Sequence, residues 1–262
     1  MTSKTESRLL CYDLGEGVTA FSTTRHGGVS EANYASFNIN PYCGDSADHV
    51  ARNRQLLADR LGLPVSHIVL PHQVHGIEHR AVAPELLDMS DAVRDKILDG
   101  VDMVTTSMTG VCIGVSTADC IPVLLYDPVA RATAAIHAGW RGTLQRICQR
   151  AVMAMQLHYG TTPDRLRAVV GPGISLANFE VGQEVYDQFV QAGFDLTETA
   201  EWHTKWHLDL PGINIRELIG CGVAPEHIHH ADICTFDHAD DYFSARRLGI
   251  DSGRIYTGIL MR

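Results

Sequence analysis

Apolar positions fall into short runs separated by turn-forming residues. Val18 to Thr23 predicts a strand, ending in TTRHGGVS, whose paired glycines and following Ser mark a loop. Ser46 to Gly62 predicts a helix, with Val50, Leu56, Leu57 and Leu61 near one face, Asp48 at the positive N-terminal end, and Gly62 and Pro64 as the stop. Ile68 to Leu70 is a short strand running into PHQVHG. Four further runs, MVTTS, VCIGVST, IPVLLYD and ATAAIHA, carry the strongest strand signal. Several are almost continuously apolar, as strands buried on both faces are, so helices should cover the sheets. Thr143 to Tyr159 supplies one such helix, with Leu144, Ile147, Cys148, Ala151, Val152, Met155 and Leu157 as a broad apolar face. A strand at Leu166 to Val170, a Gly-Pro-Gly turn, helices near Gln183 to Gln191 and Asn214 to Gly220, and strands around Ile228 to Cys234 and Arg254 to Leu260 complete the pattern. APELLDMSDAVRDKIL, before the Asp-Gly-Val-Asp at 99 to 102, reads as an insertion with a short helix. The whole predicts an α+β fold, a single layered domain over residues 1–262 with mixed β-sheets covered by helices.

Composition narrows the function. With 262 residues, 45% of them hydrophobic and 20% charged, the chain affords a sizeable core. A net charge of -10 leaves no basic stripe for a phosphate backbone, so nucleic acid is not an expected partner. No run approaches the roughly 18 apolar residues of a membrane span, and MTSKTESRLLCYDLG lacks the apolar stretch of a signal peptide, so a cytoplasmic location is expected. The seven cysteines are scattered and never spaced as CxxC, which fits reduced thiols.

The chemistry concentrates in STADCIPVLLYDPVARATAAIHAGWRGT, where Cys120 and His137 lie at strand ends beside tight backbone. His75 of HQVHG adds a third group. A thiolate and two imidazoles form the ligand set of a catalytic zinc, whose fourth position is left for water or substrate. The three positions match no short metal motif, and on pattern alone Cys120 reads equally as a small buried hydrophobe and His137 as a satisfied strand-end histidine. His72, three residues before His75, is a rival ligand. His227, His229, His230, Cys234 and His238 form a second histidine-rich stretch, read as packing and surface because alternation divides it between strand faces. Arg141, at the entrance of a predicted helix, reads either as an anion contact or as a surface residue after Trp140.

TADCIPVLLYD, HAGWRGT and PHQVHG resemble three signatures of the laccase-domain, or polyphenol oxidoreductase, family, whose members are also described as peptidoglycan-editing or purine-nucleoside-processing proteins. The likeness extends through FSTTRHGGVS, YASFNIN, CGDSADHV, NRQLLADRLG, VGPGISLANFEVGQEV, CTFDH and FSARRLGIDSGR, from about residue 20 to 258. Carried over by position, it implies metal ligands and catalytic groups at His75, Cys120 and His137. It also implies a pocket to which Arg25, Asn38 and Arg54 contribute, although Arg25 also reads as a loop cap and Arg54 as an exposed helix residue. Tyr242 to Arg247 would support that pocket or a subunit contact, as in a homodimer. The implied fold is an α/β/β/α-type sandwich similar to the cysteine hydrolase domain of cytotoxic necrotizing factor. The implied activity is zinc-dependent phosphorolysis of adenosine, inosine and methylthioadenosine, together with adenosine deamination, on small-molecule substrates. Three alternatives stand beside it: a copper-dependent polyphenol oxidase, a Cys-His amidase editing peptidoglycan precursors, and a structural metal without catalysis. The general acid is not assigned; Asp119 adjoins the site, where it equally reads as a turn residue.

Overall fold

The computed structural model describes residues 9–262. The beginning of MTSKTESRLLCYDLG, on which part of the expectation about a leader rests, lies outside the described residues. In chain order the strands are Leu9–Tyr12 (β1), Val18–Thr23 (β2), Ile68–Val69 (β3), His79–Ala81 (β4), Met103–Thr106 (β5), Cys112–Thr117 (β6), Ile121–Asp127 (β7), Ala132–Ala138 (β8), Arg167–Val170 (β9), Glu180–Val181 (β10), Ala200–Trp202 (β11), Trp206–Leu208 (β12), Ile228–His230 (β13) and Ile255–Met261 (β14). The helices are Ala47–Leu61 (α1), Pro84–Asp88 (α2), Asp91–Ile97 (α3), Trp140–Leu144 (α4), Ile147–Tyr159 (α5), Gln183–Gln191 (α6), Leu210–Gly220 (α7) and Ala245–Leu248 (α8).

Two mixed sheets stack face to face. One has the order β1-β2-β14-β6-β3 and the other β13-β9-β7-β8-β5-β4; a small antiparallel sheet, β10-β12-β11, stands apart. Alternation along the strands explains the layering. In β7, Ile121, Val123 and Leu125 join Ile147, Val152 and Met155 of α5 in one core, while Leu124 and Tyr126 meet Ile113, Val115 and Ile259 of the facing sheet in another. On the outer face of the five-stranded sheet, Phe21, Cys112, Tyr256 and Leu260 pack against Leu57, Ala58 and Leu61 of α1. The result is helix, sheet, sheet, helix, the layering that the family resemblance implied, with the sheets covered as expected from strands apolar on both faces.

Local expectations hold for α1, which begins after Ser46 and stops at Gly62 in the left-handed conformation, φ 66°. The Thr143–Tyr159 helix is corrected. Arg146 takes φ 60° and divides it into α4 and α5, with the Arg146 guanidinium drawn to Glu217 and to the carbonyl of Ala192. The insertion forms two helices, α2 and α3, rather than one. The strand expected at Ile228 to Cys234 ends at His230, and Asp232 turns the chain with φ 52°. The small sheet had no clear periodic signal, because its strands are two or three residues long.

His79 on β4 carries a pH-dependent share of stability. Its Nε2 lies 2.8 Å from Thr105 Oγ1, which is 3.0 Å from the Tyr159 hydroxyl. Burial first, then the charges of His158 and Arg80, pull its imidazolium from 6.5 down to about 4. Between those values the unfolded chain binds the proton and the folded chain does not. This contribution is therefore complete above pH 6.5 and is lost as pH falls toward 4. Urea unfolding should show His79→Gln losing about 1–2 kcal/mol less than the parent between neutral pH and pH ~4.5, after discounting for partial exposure. Parallel pH profiles would refute it.

Candidate metal centre

The chain crosses between the stacked sheets twice at the same end of the sandwich. One crossing joins β3 of the five-stranded sheet to β4 of the six-stranded sheet and carries His75. The other joins β6 to β7 and carries Cys120. Because β3 and β6 are parallel neighbours, both crossings leave from the same edge. His137 arrives beside them at the end of β8, which pairs with β7 so that Pro122 faces His137. The ligand atoms of His75, Cys120 and His137 all lie within 4.8 Å of one another.

Strained backbone makes the two turns. His75 has φ 64° and Asp119 φ 87°, both unusual for residues with a Cβ. The first turn is tied down by Gln73, whose side-chain amide donates to the carbonyl of Ser116 and accepts from its backbone N–H, both at 2.8 Å, continuing the ladder where β3 ends. Asp102 does more. Fully buried just before β5, its carboxylate accepts from the backbone N–H groups of Val74, His75 and Gly76 at 3.2, 3.0 and 2.7 Å. It also accepts from His137 Nδ1 at 2.7 Å, which leaves Nε2 as the free ligand atom of that ring. Asp119 holds the second turn: Thr235 Oγ1 and the backbone N–H of Arg246 donate to its carboxylate at 2.7 and 2.6 Å. Gly139 completes the enclosure, since a Cβ there would stand 3.0 Å from His75 Cδ2 and 3.2 Å from Cys120 Sγ.

The electrostatics prepare the sulfur. Burial pushes the Cys120 thiol up, but the His137 charge and hydrogen bonds from His137 and His75 outweigh it and bring it down to about 6. Burial pulls the His137 imidazolium down, yet the Cys120 charge and the Asp102 hydrogen bond hold it up at about 9. Burial also works against ionisation of Asp102, and hydrogen bonds from His137, Gly76 and Val74 keep its carboxyl below the ordinary value. One thiolate and two imidazole nitrogens converging in this way fit a zinc or copper ion: zinc bonds of ~2.0–2.3 Å place neighbouring tetrahedral donors roughly 3.5 Å apart.

The three groups border a cavity of about 820 Å³, also lined by Tyr42, Gln73, Phe179, Arg246 and Arg254. His72 lines it too, but its Nδ1 is bound to Asp99 at 2.6 Å and its ring lies on Tyr42, so it does not join the converging group. Arg25, Asn38, Arg54 and Arg141 are not among the lining residues. Arg25 clamps the carbonyls of Ala35 and Ala239 under Phe243, and buried Asn38 bridges Asn40, Asp45 and the backbone N–H of Arg254. Arg54 reaches the carbonyl of Ile68 in a neighbouring cavity, and Arg141 lies over Trp140. The C-terminal histidine stretch forms no converging ligand group among the described residues, and Cys234 is occupied by Ser175 and Asn178. Sequence reasoning missed Asp102, Gln73 and Arg254 and gave Arg246 only as part of YFSARR. An aspartate two residues after Gly100 resembles a turn residue, and nothing local reveals that its carboxylate serves a histidine elsewhere in the chain.

Fold and site together define a mixed α+β protein with a His-Cys-His centre compatible with a metal. The chain belongs to the family described as multi-copper polyphenol oxidoreductase laccase, which matches residues 19–262 and bears out the resemblance read from its motifs. It is similar to a protein of Bacteroides thetaiotaomicron named purine nucleoside phosphorylase, at 44% identity over 247 residues, 93% of this chain and 92% of the relative. It is also similar to adenosine deaminase RL5 from an unknown prokaryotic organism, at 40% identity over 248 residues, covering 93% and 94%. Among solved structures, the hypothetical protein YfiH of Bacillus licheniformis shares the fold with a TM-score of 0.90 and 28% identity, covering 100% of this chain and 98% of that one. No helix among the described residues is long and apolar enough to cross a membrane.

Proposed function

We propose that this chain is a zinc-dependent purine nucleoside enzyme acting as a single cytoplasmic domain. Its reactions are phosphorolysis of adenosine, inosine and methylthioadenosine, and hydrolytic deamination of adenosine. The observation that carries this reading is a converging sulfur and two imidazoles on the wall of a cavity of about 820 Å³, within the range that encloses small-molecule ligands. Relatives named for these two reactions support it. His75, Cys120 and His137 hold the metal, which when bound supplies Lewis-acid chemistry near neutral pH. Asp102 keeps the His137 proton on Nδ1 and the His75 turn in place; Asp119 has both oxygens engaged and serves as a positioning residue rather than a proton donor. Tyr42 and Phe179 offer aromatic surface to a purine.

Copper bound at the same three ligands, giving a phenol-oxidising enzyme, is the second reading, favoured by the family description and by the affinity order of divalent metals. A multicopper cluster needs many more ligands than the one converging group among the described residues. Protein purified without added metal should be analysed for its metal content. It should then be assayed in parallel with adenosine plus phosphate, a phenolic dye and a muropeptide precursor. Near-stoichiometric zinc with release of adenine or inosine is the expected result. Stoichiometric copper with oxygen consumption, or metal-free amide cleavage dependent on Cys120, would overturn it.

A further inference from the structure

Two arginines line the cavity on the segment that follows α8's start, and among the described residues neither forms a salt bridge. Arg254 donates from Nη1 to the carbonyls of Ser252 and Gly253 and from Nη2 to that of Ile250, at 2.6, 3.0 and 3.0 Å. These acceptors fix its head and leave its positive charge uncompensated by a paired carboxylate. Arg246 is less committed. Its Nη2 donates to the carbonyl of Glu180 at 3.1 Å and its Nη1 reaches that of Asn178 only at 3.5 Å, so most of its five donors are unspent. The nearby Glu180 carboxylate is bound to Lys205 at 2.7 Å. Of the cavity's own carboxylates, Asp119 is occupied by Thr235 and the Arg246 backbone, and Asp251 is exposed. That last bond matters, because it locks the backbone of Arg246 to the residue preceding Cys120. Both guanidinium groups thus stand on the wall of the same cavity as the triad, free of a salt bridge among the described residues although Asp119 and Asp251 also line it.

We propose that Arg246, together with Arg254, forms the oxyanion subsite of this cavity and takes inorganic phosphate as the attacking co-substrate. The assignment rests on the phosphorolysis reading above. A planar, permanently charged fork suits two phosphate oxygens. In the reaction one phosphate oxygen bonds to the anomeric carbon as that carbon's bond to the base nitrogen breaks. The electron pair leaves on the base nitrogen, which gains the proton that the phosphate loses, relayed through water, giving the ribose 1-phosphate (methylthioribose 1-phosphate from methylthioadenosine) and free base without any redox change. Arg141, read from sequence as an anion contact, lies over Trp140 outside the cavity lining and is not part of this subsite.

Steady-state kinetics of the metal-loaded full chain test the assignment. Arg246→Gln should raise the phosphate KM at least about tenfold and lower the ratio of phosphorolysis to deamination about fivefold at fixed, sub-saturating phosphate, with partial recovery in Arg246→Lys. Arg247→Gln is the control, because Arg247 lies over Phe236 and does not line the cavity; it should keep the parent's phosphate KM. A phosphate KM unaltered in Arg246→Gln overturns the subsite. A readout independent of turnover is the saturable rise in Tm caused by inorganic phosphate, expected in the parent and lost in Arg246→Gln. If the parent performs no phosphorolysis but shows this Arg246-dependent shift, the subsite stands and the phosphorolysis reading fails. If phosphorolysis proceeds without dependence on Arg246, the reading stands and the subsite fails.

Discussion

Cys120→Ser is expected to lose both its metal and its nucleoside turnover while keeping its fold. The sulfur is the softest donor of the converging group, and its thiol is held at about 6 by His137 and His75, so it binds as thiolate at neutral pH. A serine hydroxyl has no comparable anionic form there. Loss of a partner that merely supports a ligand costs ~10–100-fold in metal affinity, and loss of the ligand itself should exceed that range. Metal content of the purified variant, a chelator competition and the rate of adenosine consumption measure the effect; circular dichroism checks the fold. The same experiment separates metal chemistry from a cysteine nucleophile. Chelation of the parent should abolish turnover and added zinc restore it, whereas an amidase using Cys120 would survive chelation. A serine variant with stoichiometric metal and parental turnover would remove the basis of the proposed function.

Asp102→Asn should weaken metal binding ~10–100-fold and lower unfolding free energy by roughly 2–4 kcal/mol. The carboxylate is fully buried and receives three backbone N–H groups and the His137 ring, all donors and no acceptors. An amide of the same shape turns one of its two acceptor ends into a donor. At least one buried N–H then faces another, at ~1–3 kcal/mol for each group left unsatisfied. The tautomer of His137 is freed at the same time, and the turn bearing His75 loosens. Urea unfolding and chelator competition should therefore shift together. A large stability loss with parental metal affinity would mean that Asp102 is structural only and does not position the ligands.

Much of this architecture is legible in local patterns. The runs at β6, β7 and β8 are apolar at consecutive positions, and a strand can be so only when both its faces are covered; covered sheets follow from that, whereas the α/β/β/α order of the layers was implied by the family resemblance alone. The stop at Gly62 and the helix from Gln183 to Gln191 are equally local, because they depend on left-handed backbone and helical periodicity. Less legible are the break at Arg146, whose guanidinium pairs with Glu217 on α7, and the three-stranded β10-β12-β11 sheet, whose strands are too short to show a period.

The amino-acid sequence by itself determined the longer strands and helices and named Cys120, His137 and His75 as candidates, because periodicity, turn chemistry and family signatures are written in contiguous residues. Only the tertiary structure decided that two sheet crossings and one strand end meet at the same edge, with Asp102 joining them and Arg246 and Arg254 lining the same cavity. Those contacts depend on which strands pair and how the sheets stack, properties set by packing between segments far apart in the chain.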